Sequence, residues 1–136
     1  MIRPTILAFL SAAALAATPA FAATGAGSEI HTAIQHSGYA SQVKSTAKVH
    51  LHLHHVVNCL VGPHGKGFYP AAGNPCQGEG NGALNDLSGQ PKVRSELEKA
   101  LREADTGLRE NGFKTAHRTA ERVRKTLKLA QSNYMK

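Results

Sequence analysis

Tryptophan is absent from these 136 residues, aromatic side chains make up 5%, and cysteine occurs twice. With so few large rings the core must be built from Ala, Leu, Val and Ile, which let helices approach closely and point to a bundle more than to a sandwich. Acidic residues are also scarce: 9 Asp and Glu face 16 Lys and Arg, a formal net charge of +7. That balance favours anionic partners without naming one. No Cys-x-x-Cys-His is present, so covalent c-type haem is excluded. Neither glycine-rich nucleotide fingerprint occurs, nor His-Glu-x-x-His, Gly-x-Ser-x-Gly or the Glu-x-x-His pairs of a di-iron bundle, so no enzyme is expected.

What is present begins with a leader. Arg3 gives a positive start, an uncharged apolar stretch follows, and Ala20-Phe21-Ala22 is a small-x-small cleavage site. The sequence therefore predicts a signal peptide over residues 1–22 and a secreted or periplasmic mature chain. That chain, residues 23–136, is long enough for one small domain with a single core. In an oxidising compartment Cys59 and Cys76, flanking a Gly/Pro-rich segment, read as a disulfide worth about 3 kcal/mol. Thiolate ligation of a metal is the rival reading, without a Cys-x-x-Cys to support it.

The densest signal lies in Val49-His-Leu-His-Leu-His-His-Val-Val57, which holds four of the eight histidines, His50, His52, His54 and His55. Imidazoles are the commonest side-chain ligands for zinc, copper and nickel. Strict alternation over residues 49–54 would suit a strand, but it breaks at His55, and residues 46–61 lack Gly and Pro. Helical spacing instead places Val49, Leu53, Val56, Val57 and Leu60 on one face.

The remaining periodicity predicts an all-α fold, a four-helix up-down bundle of two hairpins. The first hairpin spans 28–61, with Ser28 as N-cap, a helix to Val43 and a turn at Lys44-Ser45. Residues 62–90 form a long loop, too rich in Gly and Pro for regular structure, which the disulfide would pin. The second hairpin spans 91–134, starting at Pro91 or at the capping box Ser95-x-x-Glu98, with Asn111-Gly112 as a left-handed stop between its helices.

A shift of 67 positions lays Ile30 on Leu97, Ala33 on Ala100, Val56 on Val123, Leu60 on Leu127 and the first turn on the second. This suggests a duplicated hairpin. In that register His50 falls on His117 and His54 on Glu121, two i,i+4 pairs. Together they would complete a tetrahedral set for a shared ion. His52 and His55 form an i,i+3 pair on a more exposed side, His31 and His36 lie on the first helix, and His64 in the loop. These read as looser ligands, or as solvated histidines. Any such binding needs neutral imidazole.

The leader, the small mature domain, and segments such as Glu29-Ile-His-Thr-Ala-Ile-Gln-His and residues 97–129 resemble the bacterial periplasmic small metal-binding proteins. The resemblance implies a four-helix bundle that binds copper and other divalent metals through many histidines, with His31, His36, His50, His54 and His117 as matching ligands. The chain departs from that pattern in having fewer histidines and in its cysteine-bearing stretch, so high-capacity storage does not carry over. The expectation is an exported binder of a divalent transition metal (copper, nickel or zinc) that serves metal buffering or stress protection. A competing class rests on Lys114, Arg118, Arg122, Lys125 and Lys128, which give the last helix a basic face. That face would dock on anionic lipid or an acidic protein; nucleic acid is not expected for an exported chain.

Overall fold

The computed structural model describes residues 25–87 and 89–136. The leader expected over 1–22 lies outside them. Among the described residues all regular structure is helical: α1 (Ala26–Ala40), α2 (Thr46–Val61), the single-turn α3 (Ala83–Asp86), α4 (Pro91–Arg109) and α5 (Phe113–Tyr134), with a 3-10 turn at Pro70–Ala72. Helix and not strand is the outcome at the histidine run. Val49, Leu53, Val56, Val57 and Leu60 are each at most 1% exposed on one stripe, and Ser45 caps the helix by accepting the Lys48 N–H.

Several boundaries move. α1 starts at Ala26 because the Gly25 carbonyl already accepts the N–H groups of Ser28 and Glu29, which places Ser28 inside the first turn and not at its cap. It ends at Ala40, with Ser41 as C-cap. α4 starts at Pro91, whose missing N–H costs nothing in a first turn. The stop before α5 is not left-handed: Gly112 has φ −85° and serves as the N-cap of α5. The 62–90 segment is less irregular than its composition suggests, since it contains both α3 and the 3-10 turn.

Two devices fasten that segment to α2. Cys59 and Cys76 are joined by a disulfide, with Cα atoms 5.3 Å apart. One residue earlier, Asn58 is fully buried. Its amide donates to the carbonyls of Tyr69 and Gly73, and its Oδ1 accepts the Tyr69 N–H, so a buried polar group is satisfied on both sides. Farther along, Gly62 (φ +71°) lies against the 81–82 backbone, where a Cβ would stand 1.7 Å from the Asn81 carbonyl oxygen. Only glycine fits this close approach.

One aliphatic cluster runs through all five helices. α1 packs on α2 and α5, and α4 on α5 and α2. Residues matched by the 67-position shift share their burial: Ile30 and Leu97, Ala33 and Ala100, Leu53 and Ala120, Val56 and Val123, and Leu60 and Leu127 are all 0% exposed. No helix among the described residues is long and apolar enough to cross a membrane.

Candidate metal centre

His36 on α1 and His52 on α2 lie the same number of residues either side of Lys44, so the antiparallel first hairpin sets them face to face. His55, one turn beyond His52, joins them. His36 Nδ1 is 3.2 Å from His52 Nδ1 and 3.0 Å from His55 Nδ1. The ligand nitrogens of all three residues lie within 4.8 Å of one another, and each side chain is half-buried. This group could hold a metal ion.

The protons in this group can be assigned in part. His55 Nε2 lies 2.7 Å from the Ala72 carbonyl, and a carbonyl only accepts, so Nε2 carries the hydrogen. In neutral His55 the Nδ1 lone pair therefore faces His36. Burial, reinforced by His55 and then His52, pushes the His36 pKa down to about 4. Burial and His55 likewise lower that of His52. Both rings are thus neutral at neutral pH, as ligation requires. A single hydrogen on His36 Nδ1 would have to be shared between two neighbours, and without it two lone pairs face each other. A cation among them would take all three lone pairs. For zinc–nitrogen bonds of 2.0–2.1 Å a tetrahedral edge is about 3.3 Å, within a few tenths of the 3.2 and 3.0 Å that separate His36 from its two neighbours.

His55 shows the usual arrangement behind a metal-binding imidazole, with the far ring nitrogen tied to a carbonyl that fixes tautomer and orientation. That carbonyl belongs to the 3-10 turn, which Asn58 and the disulfide hold against α2. Tyr39 closes one flank, its ring centroid 5.4 Å from that of His36 and 5.5 Å from that of His52.

The other expected ligands are placed elsewhere. His50, His54, His117 and Glu121 do not come together in one group among the described residues. His50 Nε2 donates to the carbonyl of Glu110, the C-cap of α4, at 3.0 Å. His117 Nε2 donates to the carbonyl of Ser41, the C-cap of α1, at 2.7 Å. The register that pairs these two histidines is therefore visible in what they do: each closes the end of the first helix of the opposite hairpin, where carbonyls lack partners. His54 stacks on Tyr69 with centroids 4.3 Å apart; burial, then His50 and His55, lower its pKa, with Asp105 opposing. Glu121 lines a surface cleft with Ser41, Arg124, Lys125 and Lys128. His31 is exposed beside Gln35, at 3.2 Å, and His64 is exposed in the loop.

Sequence reasoning named all three members of the group but did not join them, because it compared helix with helix along the repeat and not across the turn. Equal spacing about Lys44 was the available signal. No family model, no curated protein and no solved structure matches this chain.

Proposed function

We propose that the chain is an exported protein that binds one divalent transition metal ion through His36, His52 and His55 and buffers it outside the cytoplasm, as in the bacterial periplasmic small metal-binding proteins it resembles. The observation that carries the reading is the convergence of three Nδ1 atoms, with His55 aligned by the Ala72 carbonyl. All-nitrogen donors suit copper(II), nickel and zinc, and the intrinsic affinity order favours copper. A single preformed group speaks for one ion per chain and not for bulk storage. In this reading the four long helices form an up-down bundle, supported by the packing of α1 on α2 and α5 and of α4 on α5 and α2. The role is binding and not catalysis.

Calorimetric titration of leader-free, oxidised protein with each metal is the test. Tight uptake of one ion per chain, lost in His36→Ala, supports the reading. No uptake of copper, nickel or zinc at micromolar levels and neutral pH defeats it.

A second reading has its own observation: two open clefts on α5 carry cations, one Arg124, Lys125 and Lys128 beside Glu121, the other Arg118 and Arg122 beside Glu110. Docking on an anionic surface through this face would appear as salt-sensitive binding to phosphatidylglycerol vesicles in the presence of chelator.

A further inference from the structure

α5 carries six Lys and Arg and a single acid, Glu121, and it packs against α1. Beside the C-cap of α1 an open cleft of about 290 Å³ is lined by Ser41, Glu121, Arg124, Lys125 and Lys128. Three cations against one carboxylate give this cleft a net charge of +2. Helical spacing accounts for the grouping, because residues 121, 124, 125 and 128 stand three or four apart along one face.

Arg124 is packed but not fully paired. Gly38 leaves room for its guanidinium, since a Cβ there would stand 3.5 Å from both Cζ and Nε. The Nε is buried and has no hydrogen-bond partner among the described residues. Nearby carbonyls of α1 have other donors. The Ser41 N–H reaches those of Ser37 and Gly38 at 3.2 Å, and the Gln42 N–H reaches that of Tyr39 at 2.9 Å. The Ser41 hydroxyl donates to the Gly38 carbonyl at 2.8 Å, and the Ser41 carbonyl accepts from His117. Ser41 and His117 therefore close this helix end, and Arg124 keeps donor capacity that the chain does not use. A buried donor without an acceptor calls for an explanation, and an anion in the cleft supplies one.

We propose that this cleft binds a phosphomonoester dianion, with Arg124 as the hydrogen-bonding anchor and Lys125 and Lys128 as flanking charges. A guanidinium offers paired N–H donors that match phosphate oxygens, and lysine ammonium groups act as point charges. The net charge of the cleft balances the roughly −1.5 to −2 of a phosphomonoester at neutral pH, whereas a phosphodiester leaves it half neutralised. Its volume lies at the small end of ligand pockets, which suits a headgroup-sized ligand. The proposal narrows the second reading above to one cleft and one charge state, and it is independent of the imidazole group. A soluble phosphomonoester and the headgroup of phosphatidic acid offer the same chemistry.

The test uses leader-free, oxidised protein in low-salt buffer at about pH 7.5, above the phosphomonoester pKa of about 6. It is titrated with glycerol phosphate by calorimetry, and sedimented with phosphatidylcholine vesicles carrying phosphatidic acid or, at equal charge, phosphatidylglycerol. One glycerol phosphate per chain is expected, with stronger sedimentation on phosphatidic acid. Arg124→Gln and Lys128→Gln should each weaken binding at least about tenfold, the loss of one charge-assisted contact, and Glu121→Gln should strengthen it. Lys128 is exposed, so its variant stays folded even if the packed Arg124 proves necessary for the fold. Lys99→Gln combined with Arg102→Gln, which removes two exposed cations from α4, should change binding less than about twofold, because distant charges are screened. Uptake of glycerol phosphate alone assigns the site to a soluble ligand, and a preference for phosphatidic acid alone assigns it to a lipid. Neither uptake nor preference overturns the site. An equal loss in the α4 variant and in Lys128→Gln also overturns it, leaving only the diffuse basic face. Zinc titration at the histidines should be the same in every variant, so the two sites stand or fall separately.

Discussion

The two helical hairpins bury matched residues and differ at the polar positions beside them. His36, His52 and His55 of the first hairpin fall, in the 67-position register, on Glu103, Thr119 and Arg122 of the second. There Arg122 donates to the Thr119 hydroxyl and Thr126 donates to Glu103, an ordinary hydrogen-bonded network around two buried threonines. An imidazole cluster and a hydroxyl-based hydrogen-bond network thus arise on the same packing frame, and what separates them is the side chains at the edge of the apolar stripe. His50 and His117 mark the opposite case, the same residue type kept for the same capping task in both halves.

The largest effect should come from emptying the nitrogen cluster. Replacing His36, His52 and His55 together by Ala should abolish tight metal uptake in calorimetry, whereas Thr119→Ala, the matched position of the second hairpin, should leave it unchanged. Outer partners of metal ligands alone typically cost 10–100-fold, so each single ligand variant should lose more than that. Retained affinity in the triple variant would erase the distinction between the hairpins.

Next comes the covalent tie, which only the first hairpin owns. Cys59→Ser with Cys76→Ser should lower unfolding free energy by about 3 kcal/mol in urea titrations. Glu29 follows. Burial raises its folded pKa to about 7 from the ordinary 4.5, so the protonated form stabilises the fold. That contribution is whole below pH 4.5 and fades as pH rises through 7, by at most about 3 kcal/mol. Glu29→Gln should flatten the decline in stability between pH 5 and pH 8. An unchanged slope would show that the burial of Glu29 is not what titrates. The matched Glu96 is half-exposed and bonded to Asn133.

The smallest effect tests the symmetry itself. His50→Ala and His117→Ala should each cost about 1 kcal/mol, the usual worth of one hydrogen bond, and neither should alter metal affinity. A large loss of metal binding in either would reinstate that residue as a ligand.

Much of this architecture was legible from the chain alone, and the reasons are local. The stripe of Val49, Leu53, Val56 and Leu60 has a period that only a helix satisfies over sixteen residues without Gly or Pro. The disulfide followed from two cysteines flanking a Gly/Pro-rich segment, read together with the expected leader. Less legible were ends and loops: Ser28 is a good cap by type, yet Gly25 supplies the carbonyl that starts α1, and the fastening of Pro70–Ala72 depends on a buried Asn58 whose partners are distant in sequence. The imidazole cluster was legible only in its members. Which imidazoles meet depends on how α1 lies against α2, a tertiary fact that periodicity within one helix does not contain.

The hydrogen bond from His55 to Ala72 would tie an ion held at the imidazoles to the cross-linked segment. Occupancy and thiol oxidation then become linked variables, each shifting the midpoint of the other by the same free energy. Loading the protein should make the cystine harder to reduce, and breaking the cystine should loosen the grip on the ion by an equal factor.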